Sequence, residues 1–328
     1  MVNPQTPEHV ANNSQHRVLV TGGAGFIGSH VVDALIEHGY RVFILDNLST
    51  GSEENVHAEA KLYKCDLTDH KKTAKYFEKI HPNFVLHFAA QINVRTSVEN
   101  PVADATTNVL ASIHLMELSK KFGVRKFIFS STGGAIYGDT RVIPTPETTQ
   151  PRPLSPYAIA KLTVERYLRY FHRMHHLDIT ILRYANVYGP RQNPHGEAGV
   201  VAVFLDKMLR GENPTINGDG LQTRDYVYVA DVVAANILAL ERPKVSGIFN
   251  IGTSEQTTVN EVFDRLNRNF DRAFQEQHGP AKEGETRYSA LATGLAQRKL
   301  GWRSTVPFAE GLSATVLWFK SKHREKNS

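Results

Sequence analysis

The amino-acid sequence predicts an α/β fold: a doubly wound parallel sheet with a smaller mixed C-terminal lobe. Three observations carry this prediction. Short apolar runs alternate with helix-like segments through the first half of the chain, the pattern of a parallel sheet with right-handed crossovers. The first run ends in a turn with glycines at 22, 25 and 28. From Tyr184 onward the alternation loosens into short helices, short strands and loops rich in Gly, Pro and Asn.

In order, Arg17–Thr21 reads as the first strand and Gly25–His38 as the first helix, stopped by Gly39. Strand two, Arg41–Asp46, is followed by a polar loop, Asn47–Gly51. Strand three, Lys61–Lys64, runs into Cys65-Asp66-Leu67-Thr68-Asp69, and Lys71–Ile80 has helical spacing. Strand four, Phe84–Phe88, has Ala89-Ala90 just past its end. Pro101–Phe122 reads as one long helix closed by Gly123, and Lys126–Ser131 as strand five. Ser155-Pro156 supplies an N-cap and a first-turn proline for a helix reaching about His176. Asp178–Arg183 is a sixth strand, and the lobe holds helices at Val200–Arg210, Ala230–Leu240 and Val259–Phe270. This divides the chain into a disordered polar tail (1–16), a dinucleotide-binding domain (17–183), a substrate lobe with returning sheet elements (184–320) and a solvated basic tail (321–328).

Composition narrows the class. The chain has 328 residues, 41% hydrophobic, with a net charge of +5, enough for a sizeable core. It has no apolar run long enough for a bilayer and no signal-peptide pattern at the start, so a cytoplasmic location is expected, with no membrane partner. Cys65 is the single cysteine, which excludes an internal disulfide, and its apolar strand context suggests an inert core thiol. No arginine-rich segment is interleaved with aromatics, so nucleic acid is not an expected partner. His172, His175 and His176 share a helix but have no acid or cysteine at ligand spacing, so they read as a solvated face and no metal is expected.

The glycine turn carries the first chemistry. A G-x-x-G-x-x-G turn between a strand and a helix leaves N–H groups open to a diphosphate at the positive helix end. Asp46 lies 18 residues after Gly28, where a carboxylate grips an adenosine ribose. A carboxylate there repels a 2′-phosphate, which favours NAD over NADP. In such sheets ligands bind past the carboxyl ends of the strands, where Gly22, Gly25, Gly28, Asp46, Asp66, Ala89, Ala90, Ser131 and Thr132 all fall. Tyr157 and Lys161 stand one helical turn apart after strand five. For a tyrosine to act as a base at neutral pH, its pKa near 10 must fall by about three units, roughly 4 kcal/mol. A neighbouring Lys⁺ and an oxidised nicotinamide can supply that. A hydroxyl should orient the substrate oxygen, and Thr132 is the first candidate, with Ser130 and Ser131 as rivals.

T-G-G-A-G-F-I-G-S-H, D-N-L-S-T-G, C-D-L-T-D, H-F-A-A-Q, S-S-T-G-G-A-I-Y-G and Y-x-x-x-K together resemble the extended short-chain dehydrogenase/reductase family. R-Y-A-N-V-Y-G-P-R-Q, Q-T-R-D-Y-V-Y-V and L-G-W resemble its nucleotide-sugar epimerases, particularly the UDP-glucose 4-epimerase-like members. The resemblance implies a Rossmann-type sheet and a set of roles. Phe26 and Ile27 would lie along the cofactor diphosphate, Asp46 and Asn47 at the adenosine ribose, and Asp66 and Leu67 at the adenine. Ala89, Ala90 and Gln91 would pass behind the diphosphate with Asn108 nearby. Tyr157 and Lys161 would touch the nicotinamide ribose, and Tyr184 would lie near the nicotinamide. On the substrate side, Asn186 and Arg224 would meet the diphosphate of a UDP-sugar, and Thr215, Ile216 and Asn217 would flank its uracil.

Lys282 stands where the family commonly has arginine before Pro-Gly-Asp; here Lys-Glu-Gly-Glu departs from that run, and Arg287 is the alternative phosphate contact. Seven places after Lys282 comes Ser289, the position of a gate where a bulky Tyr excludes a 2-acetamido sugar; Tyr288 is its neighbour. The implied reaction is transient oxidation at the sugar C4, with NAD retained throughout. Thr132 is followed by Gly133-Gly134-Ala135 rather than an acid, which argues against a dehydratase or decarboxylase. Asn193-Pro194-His195 and the glycine pair argue against a uronic-acid epimerase. An NAD-sensing protein without catalysis would be expected to break the Tyr/Lys pair. The resemblance also implies a homodimer through helices 101–122 and 157–176, with Val109, Ile113, Met116, Leu162 and Leu168 as the apolar candidates.

Overall fold

A computed structural model describes residues 13–195, 199–281 and 286–327. The chain clusters into two units. The first runs to Ser131 and takes in Ser155–Leu182 and Val233–Ile248. The second comprises Thr132–Leu154, Arg183–Val232 and the chain from Phe249 onward.

The first unit is built on strands β1 (Arg17–Thr21), β2 (Arg41–Asp46), β3 (Lys61–Lys64), β4 (Phe84–His87) and β5 (Lys126–Thr132), with β6 (Asp178–Tyr184) and β11 (Gly247–Ile251) completing a seven-stranded sheet in the order β11-β6-β5-β4-β1-β2-β3. β1 pairs in parallel with β2 and with β4, β2 with β3, and β4 with β5. Val18, Leu19 and Val20 of central β1 are fully buried, because helices cover both faces of a parallel sheet and leave no solvated side. Edge strand β3 is different: Lys61 and Lys64 are exposed at its ends, and charge there discourages edge-to-edge pairing.

The helices of this unit are α1 (Phe26–Glu37), α2 (His70–Ile80), α3 (Val94–Glu99), α4 (Pro101–Ala105), α5 (Ala111–Lys121) and α7 (Pro156–His175). The single helix expected over 101–122 is interrupted: a π-helical turn, Thr106–Leu110, joins α4 to α5. Met116 and Leu168, expected on a partner-facing surface, are fully buried in this unit's own core, and Val109 packs against that core. The surface apolar residues of these helices are others, Val102, Leu110, Ile159, Tyr167, Tyr170 and Met174 among them.

Three expected boundaries shift. Residues 13–16 are not a free tail: Asn13 is buried with its side-chain amide donating to the His38 carbonyl (3.0 Å), and Arg41 N donates to His16 O (3.0 Å). Helix α9 (Val229–Glu241) was expected wholly in the lobe, yet its residues from 233 belong to the first unit. Lys126, fully buried, fixes the end of that helix by donating to the carbonyls of Arg242 and Val245 (2.9 Å each). The basic stretch from 321 continues helix α12 (Phe308–Asn327), with Lys322 paired to Glu325.

The second unit has short strands. β7 (Asn186–Tyr188) pairs in parallel with β10 (Tyr226–Tyr228), β8 (Thr215–Asn217) in parallel with β13 (Gln277–Gly279), and β9 (Thr223–Arg224) antiparallel to β12 (Thr257–Thr258). Short α6 (Gly133–Ile136), α8 (Val200–Leu209), α10 (Val259–Asn267) and α11 (Gly294–Leu300) join α12 here. Phe204, Phe263, Leu312 and Val316 form the heart of its core. Asp225, fully buried, draws three loops together: its carboxylate accepts from Thr253 N and Oγ1, Ser254 N and Leu291 N. Burial pushes its pKa up, while those donors favour the ionised form.

Candidate active site

The glycine turn is forced by close packing. Gly22 has a positive φ of +70°, and a Cβ there would stand 2.5 Å from the backbone N of Ala89. A Cβ on Gly28 would stand 2.2 Å from Gly22 O. Helix α1 therefore starts hard against the end of β1. Its N-cap, Gly25, brings no side chain to cap the helix, and no acid occupies the first turn. The N–H groups of Phe26, Ile27 and Gly28 are left for an outside acceptor, and the helix end favours an anion.

Asp46, at the end of β2 and buried, braces the glycine turn. Its Oδ2 accepts from Ala24 N (3.0 Å), inside the glycine turn, and its Oδ1 from Leu48 N (2.8 Å). Each carboxylate oxygen has a second lone pair, so holding the turn and accepting from ribose hydroxyls are compatible. Asn47 Nδ2 donates to Asp66 Oδ2 (2.9 Å), and Asp66 Oδ1 accepts from Thr68 N and Oγ1. Burial works against the Asp66 charge, but the Thr68 and Asn47 bonds outweigh it and hold its pKa below the usual value. Leu67 is buried beside it. Asn47 and Asp66 thus form one hydrogen-bonded pair next to Asp46.

Between the turn and the catalytic helix lies a buried network that the sequence reading largely missed. Ser112 Oγ donates to Asn108 O (2.6 Å), so it accepts from Nε2 of His87 (2.8 Å). Nδ1 of His87 then accepts from Thr21 Oγ1 (2.6 Å), which in turn accepts from Ala89 N (3.3 Å). Burial holds the His87 pKa down to about 3, so the ring is neutral and its tautomer follows from its neighbours. A second knot adjoins it. Asn108, buried in the π turn, brackets the backbone of Gln91: its Oδ1 accepts from Gln91 N (2.8 Å) and its Nδ2 donates to Gln91 O (2.9 Å). The Nδ2 of Asn108 and the Nε2 of Gln91 both donate to Asp104 Oδ1 (2.9 Å each). Asn108 and Gln91 were named in the sequence; Asp104 and His87 were not. The π turn, which places Asn108 out of helical register, has no sequence signal of its own, although π turns concentrate at functional positions.

Ser155 Oγ caps α7 by accepting from Ala158 N (3.3 Å), and Pro156 fills the first turn. This sets Tyr157 and Lys161 on one face. Lys161, 4% exposed, donates to Ser130 O (2.9 Å), with its ammonium 4.8 Å from the Phe129 ring centroid and 5.9 Å from that of Tyr157. Burial pulls its pKa down to about 8, and the charges of Asp104 and Glu165 oppose that fall. The Tyr157 phenol is pushed well above its ordinary value, first by burial and then by Asp104. Without further positive charge Tyr157 is therefore a neutral phenol at pH 7. Ser131 is committed elsewhere, donating to Glu165 Oε1 (2.6 Å) in a buried pair. Cys65 is buried with its thiol pKa pushed up by burial.

The remaining candidates lie in the second unit. Thr132 is the N-cap residue of α6, yet its side chain makes no capping bond. A Cβ on Gly133 would stand 2.4 Å from a methyl of Leu291, and one on Gly134 would meet Asn186 Oδ1 at 3.5 Å. The structure thus brings Asn186 beside the glycine pair that follows Thr132. Tyr184, 4% exposed, ends β6. Ile216 is fully buried in the core, so the Thr215–Asn217 stretch can offer a base only its backbone and the flanking side chains. Arg224 Nη1 donates to the carbonyls of Thr223 and Thr286 (2.8 Å each). Arg287, expected as an alternative phosphate contact, is engaged in a two-bond ion pair with Asp219 (2.8 and 2.7 Å). Lys282 lies outside the described residues.

A parallel sheet with a glycine turn, an acid at the end of the second strand and a Tyr/Lys pair one turn apart, its lysine buried, defines a dinucleotide-binding enzyme of the short-chain dehydrogenase/reductase type. Residues 18–252 match the NAD dependent epimerase/dehydratase family, and the chain belongs to it. It is similar to the UDP-glucose 4-epimerase of Thermotoga maritima solved with UDP-glucose, at 51% identity and a TM-score of 0.89 over 93% of this chain and 99% of that one. It is also similar to the UDP-glucose 4-epimerase of Thermus thermophilus solved with NAD (44% identity, TM-score 0.88, 93% and 99% covered). A third similar structure is the UDP-N-acetylglucosamine 4-epimerase of Methanobrevibacter ruminantium with UDP-N-acetylmuramic acid (36% identity, TM-score 0.88, 94% and 99% covered). The cofactor is NAD, and the donor set fits it: an open helix N-terminus for the diphosphate and a carboxylate at Asp46 that disfavours a 2′-phosphate.

Gly28→Ala places a methyl where Gly22 O now sits. Titration by cofactor fluorescence should show NADH affinity reduced at least ~10-fold, in line with overpacking costs of about 1–3 kcal/mol. Unchanged affinity would show that the turn does not carry the diphosphate.

Proposed function

We propose that the chain is a UDP-sugar 4-epimerase that interconverts UDP-glucose and UDP-galactose, and the N-acetylated pair as well. The observation that carries the reading is the enclosed Tyr157/Lys161 pair beside an NAD turn, with no acid after Thr132. Gly22–Gly28, Asp46 and their neighbours would hold NAD, which would supply reversible hydride transfer at the sugar C4. Tyr157 accepts the 4-hydroxyl proton and later gives it back. Lys161, held by Ser130 O, stabilises the phenolate in the interval. Thr132 orients the sugar oxygen, since the Ser131 hydroxyl already donates its hydrogen bond to Glu165. Asn186, Arg224 and the Thr215–Asn217 stretch hold the UDP end while the 4-keto sugar turns, so remote binding energy retains the intermediate.

The N-acetylated substrate is supported by the backbone around Ser289. Thr223 N donates to Arg287 O (3.0 Å), and Thr145 N donates to Ala290 O (2.8 Å). The register between those anchors is set. Tyr288 is 50% exposed and packs near Arg287, whereas Ser289 is half-buried. Serine is thus the less exposed of the two neighbours. The relative named for UDP-N-acetylglucosamine agrees with that reading.

We also propose a homodimer. Val102, Leu110, Ile159, Tyr167, Tyr170 and Met174 are large, exposed and confined to the helices 94–110 and α7 of one unit, more apolar surface than a solvated helix pair needs. Light scattering at micromolar concentration should give twice the chain mass; a monomer mass refutes the interface.

Epimerisation followed by NMR should show turnover of UDP-glucose and UDP-N-acetylglucosamine, with Tyr157→Phe reducing both by ~10³-fold or more, within the range of acid–base contributions. Ser289→Tyr should suppress only the acetylated substrate. Wild-type turnover of UDP-glucose alone refutes the gate, and turnover of neither refutes the function. Thr132→Ala should lower kcat more than Ser131→Ala, whose main effect should be about 1–3 kcal/mol of stability from the disturbed buried pair. The reverse order of kcat losses would move the orienting role to Ser131.

A further inference from the structure

Asp104 is a buried carboxylate with an unusual distribution of partners. It is 2% exposed. Its Oδ1 accepts two N–H bonds, from Gln91 Nε2 and Asn108 Nδ2 (2.9 Å each). Its Oδ2 is buried with no hydrogen-bond partner. A carboxylate of this kind costs several kcal/mol to bury unless something nearby needs its charge. Gln91 and Asn108 need only an acceptor, which a neutral amide oxygen would supply equally well. The group that needs the charge is Lys161, buried on α7, against which α4 packs.

We infer that Asp104 is a positioning residue whose negative charge keeps Lys161 cationic beside Tyr157, while its one bonded oxygen sets the facing of the Gln91 and Asn108 amides. The inference rests on the reading of Tyr157 as the proton-transfer group. The charged and titratable groups around it are few. From α7 come Tyr157, Lys161 and Glu165, the last bonded to Ser131. From β4 comes His87, neutral in its hydrogen-bonded chain. The charged residues of α3, Arg95 and Glu99, are exposed. The Asp104 pKa is itself raised by burial, with Gln91, Asn108 and Lys161 pulling it back toward ionisation. Its charge is felt by both members of the pair: it raises the proton affinity of Lys161 and of Tyr157.

The two effects share a sign, which makes the test sharp. Removing the charge lowers both pKa values, so both limbs of the pH–kcat profile move to lower pH. Asp104→Asn keeps the Oδ1 acceptor and removes only the charge. Asp104→Leu removes both. For Asp104→Asn we expect NAD affinity within about twofold of wild type and a pH–kcat profile displaced by about one unit toward acid, the low end of the shift one neighbouring charge produces. For Asp104→Leu we expect the same displacement together with weakened NAD binding, because the Gln91 loop loses its tie. An activity-independent readout is the Lys161 titration followed by NMR of ε-¹³C-labelled lysine, which should fall by a similar amount in Asp104→Asn. A lower kcat with an unmoved profile and an unmoved Lys161 titration would overturn the inference and leave Asp104 a packing residue. A moved Lys161 titration in a protein that epimerises no UDP-sugar would uphold it and overturn the proposed function instead.

Discussion

The ligand face of the first unit depends on one close approach of backbone to backbone, Gly22 against Ala89. A Cβ at 22 would sit 2.5 Å from Ala89 N, so only glycine lets the end of β1 touch the chain leaving β4. That contact places the glycine turn and the loop Ala89–Asn93 side by side. The same loop is then gripped from its other side by Asn108. Because Asn108 sits in a π turn rather than a regular helix, its amide lies alongside the Gln91 backbone as a strand would. The turn, the loop and the helix that packs on the Tyr157 helix are thereby one mechanical part.

The second unit solves a different problem. It has no large sheet to organise it, and its paired strands are two or three residues long. Buried polar side chains do that work. Asp225 gathers the loops at 253–254 and 291. Asn250 ties Tyr137 to the carbonyls of Thr145 and Ala292. Asp231 accepts from Thr305 and Val306 beneath buried Trp302. Such fully partnered networks specify one arrangement where apolar packing alone would tolerate several. The segment carrying Ser289 is held by two of them just beyond it, at Leu291 N and Ala292 O.

The alternation of strands and helices, the glycine turn, the acid Asp46 at the end of β2 and the Tyr157/Lys161 spacing were legible in the sequence because each obeys a local rule of spacing. The lobe boundary was not, because membership of α9 depends on where β11 returns to the sheet, a long-range choice with no local mark. The interruption at 106–110 was invisible for the same reason: its residues read as ordinary helix. Asp104 was passed over because an isolated acid on a helix reads as a solvated one until burial is known. Met116 and Leu168 were assigned to the wrong side because apolar periodicity marks a face without saying what covers it. The ion pair of Arg287 with Asp219 had no mark in the sequence, because its partners are 68 residues apart.

The hydrogen-bonded chain through His87 has a direction. Ala89 N donates to Thr21, Thr21 to His87, His87 to Ser112 and Ser112 to the Asn108 carbonyl, and every link points the same way. Reversal is blocked at both ends, since a backbone amide can only donate and a carbonyl can only accept. With the imidazole titrating only near pH 3, the chain keeps one polarity across any pH at which the fold survives. It is a strut of fixed polarity and not a proton wire.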